Sequence, residues 1–349
     1  MMGRSTDKTQ SDGASAKATI FDVASRAGVS IKTVSRVVNN EPNVRDKTRE
    51  KVSAAIAELD YRPNAAARGL SSQRSFVVGL IYENPDEFSY VKDVLNGALG
   101  ACEAAGYTLI LRPVAIAKND NLAAQVKQFI DEAAIGGVVL PAPIGDVTEV
   151  LEVLREANVP IATITPMTSP DDVLSVHCDD EQATALLTEY LIDRGHQSIG
   201  FIKGHPAHAA SDKRLAGYKK ALKSASIEFS SKLVRQGYFD FKSGRSATAK
   251  LLEAQQPPTA IIASNDDMAA GAIFEARERG LDIPKQLAIV GFDDTHVASH
   301  VWPQLTTARQ PIEEMARVAT NLLIQRLSGR DVESPSELFG CEVIIRESA

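Results

Sequence analysis

From residue 76 onward the sequence repeats one alternation, a short apolar run followed by a longer stretch with helical spacing. Val77-Val78-Gly79-Leu80-Ile81 is the first such run, and unbroken apolar runs of that length mark strands buried on both faces. Residues 91–105 then read as helix, 108–112 as strand, 122–133 as helix, 137–140 as strand, 149–157 as helix and 160–165 as strand. The pattern resumes with helices at 182–194, 214–225, 244–253 and 267–279, interleaved with strands at 198–203, 232–236, 260–264 and 287–291. Strands and helices in strict alternation specify an α/β architecture of parallel sheets joined by right-handed crossovers. The stretch 75–349 is long enough for two such lobes, and no sequence repeat relates them. The longest apolar runs fall short of the ~18–20 residues that a membrane-spanning helix needs.

The first 74 residues differ in kind. They hold 13 Lys and Arg against 8 Asp and Glu, while the remaining chain is acidic enough to bring the total to −7. A small basic segment joined to a large acidic one suits a head that meets phosphate. Residues 1–18 have almost no large apolar side chain and read as a disordered tail without the apolar middle of a secretory signal. Order is expected from Thr19, which with Asp22 forms a capping box ahead of Ile20, Val23, Ala24 and Ala27 at helical spacing. Gly28 can stop that helix in a left-handed conformation, and Ser30 can cap a second helix over 31–39. Val34 and Val37 face inward there, which leaves Ile31, Lys32, Thr33, Ser35 and Arg36 outward. A third helix, 46–59, is expected to bury Val52, Ile56 and Leu59. Two short amphipathic helices joined by a Gly-containing turn make a helix-turn-helix, whose second helix enters the major groove.

The string Ile20-Phe21-Asp22-Val23-Ala24, Gly28-Val29-Ser30 and Thr33-Val34-Ser35-Arg36-Val37-Val38-Asn39 closely resembles the head of the LacI/GalR (lactose repressor) family of bacterial transcription factors. Tyr61-Arg62-Pro63-Asn64-Ala65-Ala66-Ala67-Arg68-Gly69-Leu70 resembles the same family's hinge, in the family's order and spacing. The resemblance implies double-stranded operator DNA as partner. The DNA-contacting set is then Thr19, Ser30, Ile31, Lys32, Thr33, Ser35, Arg36 and Asn39, with Asn64, Ala67, Arg68 and Leu70 from the hinge. Ser30 and Thr33 can donate to phosphates, and Arg36 can pair with guanine O6 and N7. Ile31 and Lys32 occupy the family's variable base-reading positions. A hinge helix over 64–71 is too short to persist alone in water. In the family two such helices fold together on the minor groove, and a leucine matching Leu70 wedges a base step open.

The resemblance also implies a periplasmic-binding-protein-like core with a small effector held between two lobes. The expected lobes are about 75–175 with 308–336, and about 176–307 with 337–349, after a headpiece at 19–62 and a linker at 63–74. Arg214, ahead of Leu215-Ala216-Gly217-Tyr218, matches an effector-bonding arginine. Asn265 and Asp266 match the family's Asn-Asp pair, Asp293 a hydroxyl-accepting aspartate, and Phe239 a stacking aromatic. Tyr82, Phe88 and Tyr90 are expected at the mouth. His208 and Ala210 stand where a purine-binding branch places Arg and Thr, a departure that favours a neutral sugar. Each residue also has a plainer reading: Asp266 and Asp267 as helix caps, Phe239 as lobe core, Arg214 as a surface charge paired with Asp212.

No GxGxxG, GxxxxGK[ST] or HExxH motif is present, so no cofactor or catalytic metal is expected, and an enzyme is a poor second class. Cys102, Cys178 and Cys341 are far apart in sequence, form neither a disulfide framework nor a CxxC knuckle, and fit a reducing compartment. The chain ends near a strand at 341–346 without a heptad-bearing tail. The expectation is a cytoplasmic, homodimeric repressor relieved by a small saccharide. The alternatives are a regulator whose corepressor strengthens DNA binding, and a sugar-binding or sugar-processing protein without DNA function.

Overall fold

The structure, a computed structural model, describes residues 18–38, 44–61, 75–83, 89–116 and 121–349. The expectations placed on Asn39, Asn64, Ala67, Arg68, Leu70 and Phe88 lie outside the described residues. The chain divides into two compact units, Met1–Arg74 and Ser75–Ala349.

In the first unit α1 (Ile20–Ala27), α2 (Ile31–Val38) and α3 (Asp46–Glu58) surround one small core. Thr19 caps α1 through a reciprocal pair: its backbone N–H donates to Asp22 Oδ2 at 2.8 Å, and Asp22 N–H donates back to Thr19 Oγ1. Gly28 ends the helix at φ 64°, a left-handed geometry that a side chain disfavours. Val23, Ala24, Val34, Val37, Val52 and Ala55 form the buried centre. Ile56 and Leu59 only flank it, because Ala55 and Val52 occupy the turn of α3 nearest the helix pair. An exposed Arg26–Glu58 ion pair at 2.6 Å links α1 to α3.

The second unit contains two six-stranded sheets. The first lobe has the order β11-β5-β4-β3-β1-β2, with β1 (Val77–Glu83), β2 (Thr108–Val114), β3 (Gly137–Pro141), β4 (Ile161–Ile164), β5 (Leu174–Cys178) and β11 (Ser336–Phe339). Its helices α4 (Ser89–Ala105) and α12 (Ile312–Leu327) cover one face, and α5 (Leu122–Glu132) and α6 (Thr148–Glu156) the other. The second lobe has the order β12-β10-β9-β8-β6-β7, with β6 (Ile199–Lys203), β7 (Val234–Gln236), β8 (Ala260–Ala263), β9 (Ala288–Asp293), β10 (Thr306–Arg309) and β12 (Glu342–Ile344). Here α7 (Asp180–Asp193) and α8 (Ala209–Ser224) cover one face. The opposite face takes α9 (Phe241–Leu252) and α10 (Asp266–Glu278), with α11 (His296–His300) at its edge.

The first lobe is parallel throughout, whereas β12 runs antiparallel to β10. Strand β12 returns to the second lobe directly after β11, with only Gly340 and Cys341 between them. The strands put the passages between lobes at 179, 310–311 and 340–341, a few residues beyond the sequence-based boundaries. Strands β5 and β11 continue through Cys178 and Phe339, past the expected 175 and 336. Helix α8 likewise begins at Ala209, several residues before the expected 214, and Ala210 of its first turn lines a cavity.

Candidate effector site

A cavity of about 470 Å³ opens between the lobes at the carboxyl ends of both sets of strands. That is the usual ligand position in open parallel sheets, and the volume suits a small molecule.

Arg214 lies at its floor, on the second turn of α8, with a side chain 5% exposed. Its Nε donates to Asp180 Oδ1 at 2.7 Å, one terminal nitrogen donates to the Ser264 carbonyl, and the other reaches Gln310 Oε1 at 3.1 Å and Asp293 Oδ1 at 3.4 Å. The guanidinium stacks on Phe292 at 3.6 Å from the ring centroid. Burial opposes its charge, but Asp180 and Asp293 outweigh burial and hold the guanidinium protonated. Asp293, the last residue of β9 at φ 105°, is also buried. Burial pushes its carboxyl up to about 7, with Arg214 opposing and Asp180 and Asp267 adding to the rise.

Phe239 follows β7 in a left-handed conformation at φ 66°. Its ring packs flat against Gly204, where a β-carbon would overlap it, and Asn265 Nδ2 donates to its carbonyl at 2.9 Å. Asn265 caps α10 by accepting Met268 N–H at 3.0 Å. His208 meets Phe239 edge-on at 5.2 Å, and burial, then His205 and Arg214, lowers its imidazole to about 3. The second-lobe wall is thus an aromatic plate flanked by a neutral imidazole, an amide, an arginine and a carboxylate.

The first lobe contributes Ser89, Tyr90 and Thr165. Tyr90 hydrogen-bonds Thr165, and burial holds its phenol well above the usual range, so it keeps its proton. Ser89, the first residue of α4, donates across the cleft to Asp267 Oδ2 at 2.5 Å. Burial raises the Asp267 carboxyl, against the Ser89 hydrogen bond.

Tyr90, His208, Arg214, Phe239, Asn265 and Asp293 all stand in this wall. Tyr82 does not: the two-residue period of β1 places it with Val78 and Leu80 in the core under α4 and α12. Asp266 is also withdrawn. It is fully buried, accepts Thr295 N–H and Thr307 Oγ1–H at 2.7 Å each, and ties α10 to β10. With Asn265 as cap, the next carboxylate turns into the lobe and Asp267 faces the cavity. The surface pairing of Arg214 with Asp212 is replaced by an Asp212–Lys203 bridge at 2.9 Å. Sequence reasoning did not single out Ser89, Thr165, Asp267 or Gln310 as wall residues, nor Asp180, which holds Arg214 from behind the wall. Only Gln310, in the Arg309-Gln310-Pro311 return segment, carried a signal.

On the head, Thr19, Ile31 and Lys32 are exposed, and Thr33, Ser35 and Arg36 are half-buried along α2. Ser30 Oγ receives Thr33 N–H at 3.2 Å, which makes it the cap of α2.

Among the described residues no helix is long and apolar enough to cross a membrane, and no group of His, Cys, Asp or Glu is arranged to hold a metal ion. Residues 19–64 match the model of bacterial regulatory proteins of the lacI family, and residues 188–349 match a periplasmic binding protein-like domain. Catabolite control protein A of Priestia megaterium is 36% identical over 320 residues, covering 90% of this chain and 94% of that protein. A transcriptional regulator CelR–cellobiose complex superimposes with a TM-score of 0.73 at 30% identity, over 95% of this chain and all of the other. A lac repressor dimer bound to operator and the anti-inducer ONPF gives 0.71 at 28% identity, over 95% and 99% of the two chains. The chain belongs to the lacI family of bacterial regulatory proteins: it is a DNA-binding transcriptional repressor whose core binds a small effector.

Proposed function

We propose that the protein acts in the cytoplasm as a homodimer on a near-palindromic operator, and that a small, uncharged saccharide in the interlobe cavity lowers its operator affinity. The observation that carries the sugar reading is the second-lobe wall. Phe239 offers a face for sugar C–H groups, while Arg214, Asn265 and Asp293 offer donors and acceptors for hydroxyls. Asp180 and Asp293 already balance the charge of the Arg214 guanidinium, so it offers a phosphate or carboxylate no uncompensated positive charge. The exposure of Lys32 and Ile31 on α2 supports a role for both in selecting the operator sequence.

The test is a thermal-shift screen of the full-length protein against neutral mono- and disaccharides, cellobiose included, and against nucleobases. A hit at 100 times its dissociation constant stabilises by about 2.7 kcal/mol. Operator affinity, on a site selected from random duplex DNA, is then measured with and without the hit. A saccharide that shifts melting and weakens DNA binding is expected, with the reciprocal loss of sugar affinity on DNA. A nucleobase that tightens DNA binding overturns induction in favour of corepression. DNA binding without sequence preference overturns the operator reading itself.

A further inference from the structure

The structure brings together two cysteines that stand far apart in the sequence. Cys178 ends β5, just before the first passage between lobes, and Cys341 lies between β11 and β12, in the third. Strands β5 and β11 pair with Cys178 opposite Phe339, and Asp179 N–H donates to the Phe339 carbonyl at 2.9 Å. Side chains of extended chain alternate with a period of two, so Cys341 returns to the face that Phe339 shares with Cys178. Both residues pack in the same first-lobe core. Cys178 is 3% exposed, whereas Cys341 is partly open to solvent. The neighbouring Cys341 thiol, together with burial, pushes the Cys178 thiol far up, so Cys178 keeps its proton. Cys341 is the sulfur that a dissolved oxidant meets first. Neither residue lines the effector cavity.

We propose that Cys178 and Cys341 are a site of reversible thiol oxidation, at which a hydroperoxide converts the pair into a disulfide joining the first and third interlobe passages. The Cys341 thiolate attacks one peroxide oxygen. The S–O bond forms, the O–O bond breaks, and the departing oxygen leaves as water or alcohol after taking a proton, which leaves a sulfenic acid. The Cys178 sulfur then attacks the Cys341 sulfur and displaces hydroxide, which takes the Cys178 proton and leaves as water. Two thiols lose two electrons and the peroxide gains them. The product links two of the three segments through which one lobe is joined to the other. A dithiol reductant reverses the step. Cys102 stays out, because burial within α4 closes it to solvent and pushes its thiol up to about 12.

The test treats the reduced full-length protein with hydrogen peroxide under native conditions, removes the peroxide, blocks remaining thiols with N-ethylmaleimide in denaturant and maps the peptides. The expected result is a linked pair of peptides carrying Cys178 and Cys341, loss of two hydrogens per chain, one alkylated thiol at Cys102, and full reversal by dithiothreitol. In Cys178→Ser, the sulfenic acid of Cys341 should persist and be captured by dimedone. In Cys341→Ser, oxidation of Cys178 should slow on the order of tenfold. Circular dichroism establishes that each variant folds, and the wild-type map stands without them. Sulfinic acid on Cys341 beside an alkylated Cys178 overturns the proposal. So does a disulfide found only between chains or only in urea, or a chain that peroxide leaves fully reduced.

Discussion

Arg214 and Asp293 show how much of the site rests on single residues. The guanidinium makes contacts to Asp180, Ser264, Gln310 and Asp293 with almost no access to water. Removing it leaves buried carboxylates unpaired, so Arg214→Ala should lose about 3–5 kcal/mol in urea unfolding and the thermal response to any effector. Arg214→Lys keeps the charge without the planar fork and should fall between the two. Asp293 gives a pH signature. Its carboxyl ionises near 7 when folded and near 4 when unfolded, so between those values the folded chain holds a proton that the unfolded chain lacks. This group's contribution to stability is full below about pH 4, falls as the pH rises to about 7, and is constant beyond. Urea unfolding at pH 5 and pH 8 should therefore show a steeper loss in the wild type than in Asp293→Asn. Equal losses would place that proton elsewhere. None of this was readable from residue types, because Asp180 and Gln310 reach Arg214 across 34 and 96 positions of sequence. Tyr82 misled for a related reason: aromatic character marks a wall or a core equally well, and only the strand period decides.

At the scale of elements, most of the architecture was legible because parallel strands buried on both faces leave a run of apolar residues that no helix interrupts. The helix-turn-helix was legible through Thr19, Gly28 and Ser30, which act on the backbone locally and need no distant partner. Strand β12 escaped a directional reading, since its half-exposed residues do not report on their neighbour. The packing of α4 on α12 was also hidden. Gly97 sits where a β-carbon would overlap the Glu313 carbonyl and crowd Arg317 N. The two helices therefore approach backbone to backbone, and Gly97→Ala must push them apart. It should cost about 1–3 kcal/mol by urea unfolding, despite the better helix propensity of alanine. A neutral result would mean that the helices can separate without disturbing the Met315 and Val94 contacts between them.

For the whole molecule, the net charge of −7 conceals a basic head and an acidic core with different partners. Residues 75–349 form a compact unit with their own core and the whole effector cavity. Expressed alone, they should bind no operator at any salt concentration while keeping the melting shift with ligand. The intact protein should lose operator affinity steeply as salt rises. Sedimentation of the intact chain should give a dimer, and a monomer or a stable tetramer would contradict the proposed assembly. The threading of the core has one further consequence, in the order of synthesis. The first lobe begins at β1, yet Met315, Ala319 and Leu323 of α12, and strand β11, are supplied only after all but the last strand of the other lobe has been translated. The lobe that leaves the ribosome first stays open until nearly the end of the chain. Until then the apolar side of α4 and β1 waits uncovered, a natural client surface for a chaperone and the reason a nascent chain stopped before residue 312 should be handed to proteases.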